Sequence, residues 1–224
     1  MIPTPWETAI KATKQLKVSP GPELIKSPAW GAVLFRKILD ESNRLAGVKN
    51  LGVTLVAFNK APTPDGGGGS NVQIEVSDGS HTFKWDGADH NGCLVTDPVT
   101  KQCLPVGLTI AGVTHKVIQG VILGAFIFVP RNPTIQGVGS RGIGNGAKMA
   151  LTIHELIHAY GLEETDPGHS PNGNPDVFMT GASFSGSFPP DGNPGDRFDL
   201  GGGKFVPPIF ITDRTATLIR DNWK

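Results

Sequence analysis

The chain has 224 residues, 38% of them hydrophobic, enough to bury one core or two lobes that share a cleft, and a single domain is the default. Lysine plus arginine equals aspartate plus glutamate at 20 each, and no long basic run occurs, so charge recommends neither nucleic acid nor an anionic membrane as a partner. The N-terminal MIPTPWETAIKATKQLK carries prolines and charges where a secretory signal needs continuous apolarity, and no segment reaches the roughly 18 apolar residues of a membrane span.

Ser27-Pro28 followed by AWGAVLFRKILDESNRLAG predicts an amphipathic helix. Ser27 is its expected N-cap, Trp30, Leu34, Ile38 and Leu45 its apolar stripe, and Gly47 its terminator. GVTLVAFN, residues 52–59, predicts a largely buried strand, and NVQIEVS, residues 71–77, alternates Val72, Ile74 and Val76 like a strand covered on one face. The intervening APTPDGGGGS is a flexible loop by composition. HTFKW continues the sheet in this reading, DGADHNGCLVTDPVTKQCLPVG is turn-rich, and GLTIAGV with GVILGAFIFVP supplies one or two further strands. Asp97-Pro98 is a turn signal between Cys93 and Cys103, so a disulfide closing this loop is expected, with two free thiols as the alternative.

GAKMALTIHELIHAYG places Met149, Ile153 and Ile157 on one stripe with Leu156 and Tyr160 beside it, and stops at Gly161, which predicts a helix packed under a sheet. On that helix His154 and His158 differ by about 40° around the axis and about 6 Å along it, so both imidazoles can point at one ion. Glu155 is badly placed to bind the same ion and well placed to take a proton from a water that the ion activates. Zinc acidifies such a water and polarises a carbonyl, and the carboxylate can carry the proton to a leaving amine, which is the chemistry of peptide hydrolysis.

HELIHAYGL is similar to the HExxHxxG pattern of the metzincin zinc peptidases, and with the later HS and PDVFM it resembles the longer matrixin stretch, with extra residues between Leu162 and His169. The resemblance implies an α+β fold: a twisted mixed sheet whose edge strand binds substrate, a backing helix, a zinc-binding helix and a small loop-rich C-terminal lobe. On it, residues 1–224 form one catalytic domain, 1–161 its upper lobe and 162–224 its lower lobe with a closing helix. It also implies one catalytic Zn2+, with Glu155 as general base, Gly161 as the sharp reversal after the helix and Met179 in the turn beneath the metal. GAFIFVP takes the place of the substrate-binding strand, although its near-continuous apolarity suits a central one.

The third metal ligand is less direct. The family spacing falls on Glu164, where a histidine or aspartate is expected; Asp166 lies two residues on, and His169 is the only histidine after His158. No glutamate follows Glu164, unlike gluzincins, and the sole tyrosine, Tyr160, is not where aspzincins need one. His169 is preferred because EETDPG reads as an inserted turn and imidazole suits zinc, with Glu164 and Asp166 as alternatives.

Residues 77–92 hold Asp78, His81, Asp86, Asp89 and His90 and faintly resemble the matrixin loop for structural Ca2+ or Zn2+, but Asp-Gly pairs are first of all turn formers. His115 reads as structural or exposed, and residues 181–208 as the pocket wall. The leading expectation is a zinc-dependent metalloendopeptidase acting on peptide or protein, secreted or extracellular, with a cytoplasmic setting as the alternative. A zinc amidase acting on cell-wall peptide needs the same metal and base. A non-catalytic binding module on a zincin scaffold has no use for Glu155.

Overall fold

The computed structural model describes residues 2–65, 68–106, 110–135, 141–163, 198–201, 204–206, 211 and 213–224. It begins with β1 (Ile2–Pro3), α1 (Thr8–Thr13), β2 (Gln15–Pro20), α2 (Pro22–Lys26) and the long α3 (Gly31–Val48). β3 (Thr54–Ala57) and β4 (Val72–Ser77) precede two hairpins, β5 (Ser80–Trp85) with β6 (Ala88–Cys93) and β7 (Gly112–Ile118) with β8 (Val121–Pro130). β9 (Thr134–Ile135) and β10 (Arg141–Gly142) pair ahead of α4 (Asn145–Ala159). β11 (Leu162–Glu163), the hairpin of β12 (Phe198–Gly201) and β13 (Lys204–Val206), and α5 (Asp213–Asn222) follow.

The fold is α+β. Its centre is a five-stranded, twisted mixed sheet in the order β3-β2-β4-β8-β7, parallel except for β7 at one edge. Side chains alternate along β8. Ile127 and Val129 join the main core with Leu34, Ile38 and Leu45 of α3 and Ile153, Leu156 and Ile157 of α4. Phe126 and Phe128 face the β5–β6 hairpin, where Phe83 and Trp85 form a second cluster with them. Each such side chain, fully buried, contributes about 1.5–3 kcal/mol. No helix among the described residues is long and apolar enough to cross a membrane.

Several sequence expectations change. The long helix starts at Gly31, not at Pro28, because Ser27 to Trp30 close a turn: Ser27 Oγ accepts the Ala29 N–H at 3.2 Å and the Ser27 carbonyl accepts the Trp30 N–H at 3.2 Å. Gly47 lies inside the helix. Asn50, at φ 51°, ends it: its own N–H reaches the Gly47 carbonyl at 3.1 Å and that of Leu51 reaches Ala46 at 2.9 Å, a Schellman arrangement. β3 is an edge strand with only Leu55 buried, not the largely buried strand expected of residues 52–59. HTFKW does not extend the sheet but pairs with β6 as a separate hairpin, and β2 was not anticipated at all. GAFIFVP lies in β8, between β4 and β7, so the edge role falls to β7.

The disulfide between Cys93 and Cys103 is present, with Cα atoms 5.4 Å apart. The turn signal between them works through Asp97, whose carboxylate accepts the N–H groups of Thr100 at 2.6 Å and Val99 at 2.8 Å. Those bonds hold its pKa below the ordinary aspartate value.

Candidate active site

α4 carries His154, Glu155 and His158, and its C-terminal end is held by residues remote in sequence. A helix end leaves carbonyls without helical partners. Here the Trp6 indole N–H donates to the Ala159 carbonyl at 2.8 Å, and Trp223 Nε1 and Asn222 Nδ2 donate to the Tyr160 carbonyl at 2.9 and 3.2 Å. Gly161, at φ +100°, then reverses the chain, as expected of it, and its carbonyl accepts the Thr4 N–H at 2.7 Å. A Cβ at that position would collide with the Thr4 carbonyl oxygen and Asn222 Nδ2. β1 pairs with β11 immediately afterwards. Both ends of the described chain therefore fix where the histidine helix stops.

The helical spacing brings the two imidazoles together as expected. His154 Nε2 and His158 Nε2 are 3.2 Å apart, with the ring planes at 75°. Ligand nitrogens each about 2.0–2.1 Å from a tetrahedral zinc lie about 3.3 Å apart, so the pair fits a shared ion. His158 Nδ1 is 2.7 Å from the Leu162 carbonyl oxygen. A carbonyl only accepts, so Nδ1 carries the proton and the Nε2 lone pair of the neutral ring faces His154. His158 is 1% exposed and Glu155 6%.

Glu155 and His158 open on a cavity of about 420 Å³ that His81, Leu94, Gly112, Val113, His115 and Phe128 also line. β7 runs along it. Ala125 of β8 donates its N–H to Asn71, ahead of β4, at 2.9 Å, so Gly124, Phe126 and Phe128 are the β8 residues whose backbone faces β7. Their register partners are Lys116, Thr114 and Gly112. Val113 between them turns its N–H and C=O away from β8, to the outer edge of the sheet.

His169, Glu164, Asp166 and Met179 lie outside the described residues, as does most of 181–208. Among the described residues no three His, Cys, Asp or Glu side chains are grouped to hold a metal ion. Of the residues read as a faint structural-metal loop, Asp78 pairs with Arg131 at 2.8 Å, Asp89 with Lys84 at 3.8 Å and Asp86 with His90 at 3.2 Å, while His81 stacks on Phe128. Sequence reasoning missed His81, Leu94 and His115 as cavity residues. The alternation of Ala111, Val113 and His115 is visible in the sequence, but that this strand borders α4 follows only from their packing in three dimensions.

No protein-family model and no curated protein sequence matches the chain. The likeness to metzincins rests on the motif residues themselves.

Proposed function

We propose that this chain is a zinc-dependent metalloendopeptidase of metzincin-like architecture that cleaves peptides or proteins laid along β7. The observation that carries the reading is the convergence of His154 and His158 Nε2 at 3.2 Å, with the His158 tautomer fixed by Leu162, beside a buried Glu155 that opens on the same cavity. His154 and His158 would hold the ion through Nε2, with His169 as the preferred third ligand and Glu164 or Asp166 as alternatives. When bound, zinc supplies Lewis acidity, acidifying a water molecule and polarising the scissile carbonyl.

Glu155 acts as general base: a carboxylate oxygen takes the proton of that water and returns it to the nitrogen of the leaving amine. Leu162 keeps the His158 ring in place through its carbonyl, and Val113 offers an N–H and a C=O for pairing with an extended substrate. The order of long helix, mixed sheet with an antiparallel edge strand, and histidine helix supports the architecture. The disulfide suits an oxidising, extracellular setting.

Glu155→Gln tests the mechanism. The near-isosteric amide cannot accept the proton, so zinc content and fold should persist while turnover falls by about 10²-fold or more. Unchanged turnover would remove Glu155 from the role of base.

A further inference from the structure

We propose that the recess between the β5–β6 hairpin and β7 is a specificity subsite that takes an aromatic side chain of the bound peptide. The peptide itself rests on the peptidase reading; the recess does not.

Along β7 the side chains alternate between two faces. Ala111 and Val113 pack against the main core beneath α4. Lys116 turns the other way, with Nζ 4.8 Å from the centre of the Phe83 ring and 3.2 Å from His90 Nδ1, so Gly112 and Thr114 share the hairpin face with it. A strand paired with Val113 alternates likewise and sends every second side chain toward the hairpin.

On that face the wall is interrupted at Gly112, which stands in register opposite Phe128. A Cβ at Gly112 would meet Leu94 Cδ2 at 3.2 Å, so even a small side chain there begins to fill the recess. The His81 imidazole lies flat on Phe128, ring centroids 3.5 Å apart and planes 14° from parallel. It can do so because Gly92, opposite it on β6, has no Cβ to collide with Nε2. His81, backed by the buried Phe128, and the half-buried Leu94 thus border the cavity that Glu155 and His158 also line, one with a flat ring and the other with an aliphatic chain. Burial lowers the His81 pKa to about 4, so at neutral pH the ring is uncharged and suits a flat apolar partner rather than an acidic one. The Cys93–Cys103 bridge closes the loop that carries Leu94.

Cleavage-site profiling of a mixed peptide library by the zinc-loaded protein, Gly112→Val and Leu94→Ala tests this. Wild type should favour Phe, Tyr or Trp at one fixed distance from the scissile bond. In Gly112→Val, which fills the recess, the ratio of kcat/KM for a Phe peptide over an Ala peptide at that position should fall about tenfold or more. Leu94→Ala widens the recess and should move the preference from Phe toward Trp. Equal ratios in all three proteins, with cleavage retained, would overturn the subsite and leave the peptidase reading standing. If no peptide is cleaved, the peptidase reading fails instead, and equilibrium binding of fluorescent Phe and Ala peptides decides the recess alone. A Phe preference lost in Gly112→Val supports it; no preference in wild type overturns it.

Discussion

At one edge of the central sheet, Leu55 of β3 gives its N–H to Asn43 Oδ1 at 2.7 Å and accepts Asn43 Nδ2 on its carbonyl at 2.8 Å, so a side chain of α3 occupies the place of a further strand. At the other edge, the backbone N–H and C=O of Val113 of β7 face outward beside Glu155 and His158, and among the described residues no strand pairs with β7 on that side. Unpaired edges invite association with any extended chain, and folds commonly blunt them. Among the described residues, the edge remote from α4 is blunted and the edge beside it is not. The contrast agrees with the proposed use of β7 for an extended substrate, a use for which β3 is not suited.

Displacing α4 from its place beside β7 should have the largest effect. Gly161→Ala introduces a side chain at positive φ into contact with the Thr4 carbonyl and Asn222, which should cost about 3 kcal/mol or more and weaken zinc binding, seen together as a lower denaturation midpoint and a lower zinc content. A variant as stable as wild type would mean the helix end has room to move.

Val113→Pro addresses the open edge alone. Of the backbone groups, proline removes only an N–H that does not serve β8, a position where an edge strand tolerates it, and its ring keeps apolar surface where the half-buried Val113 side chain meets the core, so zinc content and overall fold should persist. Loss of a pairing bond should lower kcat/KM about tenfold. Unaltered kcat/KM in a folded variant would show that substrate does not pair with β7. Asn43→Ala sharpens the contrast from the other side: it opens the β3 edge, should cost about 1 kcal/mol and should raise self-association in light scattering, with kcat/KM per folded molecule unchanged. A loss of activity there would make the two edges equivalent, contrary to the account.

How much of this was legible beforehand followed the range of the interactions. The histidine helix and its stop at Gly161 were readable because spacing and a glycine cap are local signals. The disulfide was readable from Asp97-Pro98, which turns the chain within the ten-residue separation of the cysteines. β2 was not, since Gln15–Pro20 is a short segment whose partners are Thr54–Ala57 and Val72–Ile74, far along the chain. GAFIFVP has the composition of a buried strand, and the sequence offered no way to see that the less apolar β7 would take the edge. The meeting of His81, Leu94 and Gly112 with Glu155 depends on the β5–β6 register, the β7–β8 register and the packing of α4 on β7 together, so no single stretch encodes it.

Every role proposed for α4 depends on the metal. Elemental analysis of the native protein and of its His154→Ala, His158→Ala, His169→Ala, Glu164→Ala and Asp166→Ala variants, each titrated with zinc, tests it most directly. The expected result is one tightly bound zinc per chain, lost in His154→Ala, His158→Ala and His169→Ala and kept in the other two, with Glu164 or Asp166 exchanging places with His169 if one of them is the third ligand. Absence of zinc from the native protein, or full occupancy in both His154→Ala and His158→Ala, would contradict it.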